Sequence, residues 1–278
     1  MSGNFKAVNR LLPGIALTLL LVAGQRLWGQ LAPPNEAGVT MGHIHLFVSN
    51  MEIQQRFWAE LGAKQVTSGD IPLLQLPGVY IMLKQQDPSG GTVGSVLDHI
   101  GLRVKSLSEW TPKWKAAGLK IEEGDPSNGI YIDGPDGVRV QVNEDASLAV
   151  PIALDHVHLF FPNASAAQSW YVKYFGARPG TRTSGSGKTH FLTATVPGAE
   201  ITITEKKDAF VPTSGRSVDH IGFEVKNLSE FIAKLDADGI HTEKGIIKSA
   251  RNPKVRAAYI TDPWGLHIEI TEGLVANQ

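Results

Sequence analysis

Histidine is the residue type through which this chain could do chemistry near neutral pH. The 278 residues include nine histidines and no cysteine, so thiolate nucleophiles, disulfides and zinc–thiolate sites are excluded. Four of the histidines open segments that read alike: GHIHLFV from Gly42, DHIGLRV from Asp98, DHVHLFF from Asp155 and DHIGFEV from Asp219. Two neutral imidazoles with one carboxylate make a facial triad on a divalent ion and leave positions open for substrate oxygens. A metal so held acts as a Lewis acid or brings dioxygen and substrate together. Late in the repeat, the stretch from Gly137 to Gln141 lines up with the stretch from Gly265 to Glu269. His158 lies two residues from His156, and His267 two from Glu269. Alternation along a strand puts each pair on one face, where His158 and His267 could serve as acid/base or orienting groups.

The elements that must position these residues repeat four times. Each His-bearing segment is a β-branched run of about seven residues and reads as a strand. Capping-box spacing follows each one, at Ser49 with Glu52, Ser106 with Glu109, Ser165 with Gln168 and Asn227 with Glu230. Aromatic and aliphatic residues at helical spacing come next, among them Phe57, Trp114, Tyr171 and Phe231, and these belong to a core. Each helical stretch stops at a glycine: Gly62, Gly118, Gly176 or Gly239. Three short strands complete each unit, with turns at Pro77-Gly78, Gly134-Pro135-Asp136-Gly137, Pro197-Gly198 and Asp262-Pro263-Trp264-Gly265. The fold class is therefore α+β: four βαβββ modules, expected to group two by two with their neighbours over residues 41–146 and 152–273.

This pattern resembles the vicinal-oxygen-chelate superfamily, which includes glyoxalase I, bleomycin-resistance proteins and extradiol dioxygenases. The likeness runs over nearly all of Gly42 to Gly273, and the four-module layout is most similar to the ring-cleaving dioxygenases. In that family two modules form one incomplete β-barrel, which implies two paired-module incomplete β-barrels here. The family's ligands come from the first strand of each module in a pair and from the last strand of the second module. The resemblance thus implies a C-terminal metal site of His156, His220 and Glu269, with Fe(II) first and Mn, Zn, Ni or Co as alternatives. The N-terminal set would be His43, His99 and Gln141, where the carboxylate is missing. Extradiol dioxygenases also place a Tyr near the substrate oxygen, which implies a catalytic role for Tyr259 beside His158; Tyr131 holds the matching place in the other half. Two features depart from the family. No His stands near Glu200, where the dioxygenases keep an acid/base group, and Thr202 occupies the place of a further glyoxalase carboxylate.

Lys+Arg total 26 against Asp+Glu 27, a balance that argues against nucleic acid as the main partner. A small-molecule substrate is expected instead. Lys6 and Arg10 precede the apolar run from Leu11 to Gly24, which is short of the roughly 20 residues needed to span a bilayer. Residues 1–32 therefore read as a secretory signal peptide with its lead-in, making the chain an exported (periplasmic or secreted) protein with no stable membrane insertion once processed; an uncleaved N-terminal anchor is the alternative. The glycine-rich stretch from Ser184 to Lys188 lacks the strand–loop–helix context of a phosphate loop and reads as a mobile surface loop. Two function classes follow. One is a metal-dependent dioxygenase or lyase; the other is a metal-free ligand-sequestering protein like those that confer bleomycin resistance.

Overall fold

The computed structural model describes residues 31–122 and 129–275; the expected signal segment lies outside them. The first module holds β1 (Val39–Val48), α1 (Met51–Glu60), β2 (Lys64–Ser68), β3 (Ile71–Leu76) and β4 (Val79–Gln85). The second holds β5 (Leu97–Val104), α2 (Leu107–Ala116), β6 (Lys120–Glu122), β7 (Ile130–Asp133) and β8 (Arg139–Glu144). The third holds β9 (Ile152–Phe161), α3 (Ala164–Phe175), β10 (Arg178–Thr183), β11 (His190–Val196) and β12 (Ala199–Glu205). The fourth holds β13 (Val218–Val225), α4 (Leu228–Ala237), β14 (Ile247–Lys248), β15 (Arg256–Thr261) and β16 (His267–Glu272). Among the described residues no helix is long and apolar enough to cross a membrane.

Local signals set most of these bounds. Ser106 and Asn227 cap α2 and α4, accepting from Glu109 N–H at 3.3 Å and Glu230 N–H at 3.2 Å. The other two caps differ from expectation. Asn50 and Asn163 do the capping, because an Asn side chain one turn before the free amide was available in each case. Ser49 instead bonds Asp136 through its hydroxyl at 2.6 Å. The four helix-ending glycines all take positive φ, between 61° and 88°, where a side chain would be strained.

The fold class holds, but the modules pair differently from the sequence expectation. Each of two eight-stranded sheets takes one module from either half of the chain. Sheet A runs β14-β15-β16-β13-β1-β4-β3-β2 and sheet B runs β10-β11-β12-β9-β5-β8-β7-β6. The central joints are antiparallel, β1 with β13 and β5 with β9. Modules 1 and 4 therefore share one half-barrel, and modules 2 and 3 the other. The boundaries 41–146 and 152–273 do not separate the sheets.

The cause lies in the connections. β8 ends beside Val104 (its partner is Glu144), and β9 begins beside the same residue, at Ile152. Residues 145–151 thus need only step across β5, roughly 10 Å or two strand spacings, so the third module lands on the second. The two longer links, 86–96 and 206–217, carry the chain from sheet A to sheet B and back. They travel side by side, with Ser89 N–H to Gly215 carbonyl at 2.8 Å, Ser217 N–H to Gly90 carbonyl at 2.9 Å and Val96 N–H to Val211 carbonyl at 3.0 Å. One continuous cluster of buried apolar side chains draws on both sheets and all four helices. Trp58, Trp114, Phe175 and Phe223 are fully buried in it. On the strands packed against this cluster, residues of opposite parity face the concave side of each sheet, and the histidines stand there.

Candidate metal centre

On sheet A, strand alternation sends His43 and His45 to the concave face of β1. His220 stands opposite His45 in the β1·β13 register, and Glu269 stands beside Gly222 in the β13·β16 register. His43 Nε2 and His220 Nε2 each lie 2.9 Å from Glu269 Oε2, and His45 Nδ1 lies 3.1 Å from His220 Nε2. Gly222 makes this possible: a Cβ there would overlap the His43 ring. Shape and the Glu269 bond orient that ring, since its Nδ1 is buried without a hydrogen-bond partner among the described residues.

The hydrogen-bond roles are over-determined. Asp219 Oδ2 accepts from His220 Nδ1 at 2.6 Å, and Gly215 N–H donates to Oδ1 at 2.6 Å. Burial would raise the Asp219 carboxyl, but hydrogen bonds from His220, His267 and Gly215 outweigh it and hold the group far below the usual carboxylate range. With its proton fixed on Nδ1, His220 aims an Nε2 lone pair at the Glu269 carboxylate, an arrangement that calls for a cation between them. A proton meets that demand in part. Burial works to lower the His220 pKa, yet the Asp219 and Glu269 bonds lift it to about 9. Glu269 is likewise held well below its usual value, its burial overcome by His43 and His220. His45 is pushed well down, by burial first and by its histidine neighbours second.

A divalent ion meets the same demand. Neighbouring ligands on an ion with bonds of about 2.1 Å stand about 3 Å apart, which is the spacing of three pairs of these atoms, at 2.9, 2.9 and 3.1 Å. All four donor atoms lie within 4.8 Å of one another. Three imidazoles and one carboxylate suit a borderline cation such as Fe(II), Mn, Co, Ni or Zn. The residues present fit the group.

The structure brings together two of the three ligands implied by the resemblance and separates the third. His220 and Glu269 meet on sheet A. His156 lies on sheet B, because its module pairs with the second module and not the fourth; His43 takes its place. His158, two residues on, is displaced with it, and its Nε2 bonds Thr204 Oγ1 at 2.7 Å. Tyr259 stands where the expectation put it, opposite Glu269 in register and 5.6 Å from the His220 ring. Burial and the adjacent Glu269 charge raise its phenol well above the usual range, which keeps it a hydrogen-bond donor. His267 is buried against Asp219 at 3.3 Å, behind the centre and out of its donor set. His45 was the residue missed. Its signal is the HxH spacing shared by His43/His45 and His156/His158.

Sheet B repeats the constellation with changed parts. His99 Nε2 and His156 Nε2 approach to 3.3 Å, and Asp98 and Asp155 hold their Nδ1 atoms at 2.7 and 2.9 Å. Gly101 leaves room for the His156 ring as Gly222 does for His43. The carboxylate position carries Gln141, whose amide donates to Tyr131 hydroxyl at 3.0 Å. Arg182 bonds Asp155 at 2.9 Å and Glu200 at 3.3 Å, and its guanidinium stands 3.3 Å from His156 Nδ1. With no anionic donor in the cluster and a permanent cation beside it, this site is the poorer cation holder.

Sheet A curls over a cavity of about 1050 Å³ whose lining includes His45, Tyr259 and Glu269. Its ends meet at the rim, where Asn252 Nδ2 donates to Ser68 Oγ at 3.1 Å and Asp70 N–H to Arg251 carbonyl at 3.1 Å.

The family model described as the Glyoxalase/Bleomycin resistance protein/Dioxygenase superfamily matches residues 153–270. Glyoxalase I from Zea mays is similar in structure over 84% of this chain and 92% of its own, at 13% identity and a TM-score of 0.66. A Bacillus subtilis protein named provisionally as a dioxygenase is similar over 84% of this chain and 86% of its own, at 14% identity and a TM-score of 0.61. At these identities the likeness shows the fold alone. No curated protein sequence matches the chain. Residues 153–270, the third and fourth modules, thus match the Glyoxalase/Bleomycin resistance protein/Dioxygenase superfamily, and the four βαβββ modules in paired half-barrels share the fold of glyoxalase I.

Proposed function

We propose that the chain is a divalent-metal-dependent enzyme acting on a small molecule with two adjacent oxygens, bound in the sheet A cavity over His43, His45, His220 and Glu269. One observation carries this reading: four donor atoms converge within 4.8 Å of one another, and two of their residues, His45 and Glu269, line a large cavity. When bound, the metal supplies Lewis-acid polarisation of the substrate oxygens or, as Fe(II), activation of dioxygen. The protein's part is positioning. Asp219 fixes the His220 tautomer, Gly222 admits the His43 ring, and Glu269 contributes the single negative charge. Tyr259, protonated at neutral pH, donates a hydrogen bond to a substrate oxygen beside Glu269. The charged n-region and apolar run of residues 6–24 support action outside the cytoplasm.

Ring cleavage and oxygen-independent lyase chemistry are separated by oxygen uptake. Fe(II)-reconstituted protein consuming oxygen with a catechol, and losing that activity in Glu269→Gln, would support a dioxygenase. Anaerobic turnover of an aldehyde or isomerisable substrate under Ni, Co, Mn or Zn would support a lyase. Tight ligand binding unchanged by chelator and by Glu269→Gln, with no metal-dependent turnover, would overturn the metal reading in favour of a ligand-sequestering protein.

A further inference from the structure

We infer that the sheet A cavity takes a molecule with an apolar body of at least ring size and an anionic group, held by Lys84 beside the metal site and by Arg251 at the rim. The inference rests on the proposed reading of that cavity as the substrate site and narrows its ligand. Size comes first. About 1050 Å³ lies at the upper end of small-molecule sites, roughly 300–1,000 Å³, so a three-carbon substrate would leave most of it to water. The walls are apolar, with Val66, Ile71, Leu73, Met82, Val255 and Leu274 among them.

Charge narrows the class further. Glu269 is the only carboxylate among the described lining residues, and His43 and His220 engage it. Lys84 and Arg251 also line the cavity, and neither has an ion-pair partner among the described residues. Two unpaired cations at an apolar cavity select an apolar anion and repel a cationic one. Lys84 stands one aromatic ring away from His45. Its ammonium lies 4.6 Å from the centre of the Phe47 ring, and that ring lies 6.1 Å from His45. Sheet B carries the same device. Lys206 sits 3.9 Å over Phe160, and Phe160 lies 5.4 Å from His158. Phe47 and Phe160 hold matching strand positions, but the two lysines do not. Lys84 corresponds in register to Thr204, so each half presents a cation from its own sequence position.

The test uses two probes with nearly the same rings: 1-anilinonaphthalene-8-sulfonate, an anion, and uncharged N-phenyl-1-naphthylamine. Fluorescence titration of the full chain should give about tenfold tighter binding of the sulfonate. Lys84→Met and Arg251→Met should each weaken the sulfonate about threefold to fivefold, the range of a partly exposed ion pair, and the uncharged probe less than twofold. Leu73→Trp, which fills the cavity, should weaken both about tenfold or more. Equal affinity for the two probes, or sulfonate binding indifferent to Lys84→Met and Arg251→Met, would overturn the inference, as would binding indifferent to Leu73→Trp. Metal content of the same samples distinguishes the two failures. A chain without metal that still binds the sulfonate through Lys84 loses the metal reading and keeps this one.

Discussion

At the scale of single residues, two devices hold the candidate centre: an aspartate behind one histidine and a glycine in front of another. Asp219→Asn should leave the fold intact and lower metal affinity about 10- to 100-fold, because an amide no longer fixes the Nδ1 proton of His220; competition with a chelator of known affinity reads this directly. An unchanged affinity would remove Asp219 from the account. Gly222→Ala should cost about 1–3 kcal/mol in denaturant unfolding as well as metal, since the added methyl overlaps the His43 ring. These residues were half legible in the sequence. The Asp-His pairs at 98, 155 and 219 and the Gly at 101 and 222 are visible as repeats, but what each glycine makes room for belongs to another module. His45 was legible through its HxH spacing, which His158 shares. Arg182 was not, because only folding brings β10 against His156.

At the scale of elements, the β15–β16 turn sets the strand that carries Glu269. Asp262 Oδ1 accepts from Trp264 N–H at 2.9 Å and Leu266 N–H at 2.8 Å, and Oδ2 from Tyr171 hydroxyl at 2.8 Å. Burial raises the Asp262 carboxyl to about 6, against these hydrogen bonds. A carboxyl whose folded pKa is raised stabilises the protein fully below its unfolded value, near 3.9, and loses that contribution as pH climbs through about 6. The native chain should therefore lose about 2–3 kcal/mol relative to Asp262→Asn between pH 4 and pH 7. Parallel pH profiles for the two proteins would show that Asp262 titrates normally. Strands, helices and turns were legible from periodicity and punctuation. The two misplaced caps were not, because Ser and Asn compete within two residues and the outcome depends on which backbone N–H each side chain reaches.

At the scale of the whole molecule, the module pairing decides which histidines meet. HxH strands pair with HxG strands in both sheets, as the ring-for-glycine fit requires, but neighbours-with-neighbours and the observed crossed pairing satisfy that rule equally. The deciding feature is the short 145–151 link, and its effect emerges only once β8 is known to end beside β5. In this cysteine-free chain, Thr40→Cys with Glu224→Cys, facing positions on β1 and β13, should form one intramolecular disulfide, seen as a loss of about 2 Da by mass spectrometry. Thr40→Cys with Arg103→Cys, which would face each other if modules 1 and 2 paired, should not. The same pairing fixes the composition of the metal centre. The decisive comparison is metal content, after anaerobic purification and Fe(II) reconstitution, of the native chain beside His43→Ala and His156→Ala. Near-stoichiometric metal that survives His156→Ala and is lost in His43→Ala is the expected result. Metal lost in His156→Ala and kept in His43→Ala would contradict the crossed pairing and the centre built on it.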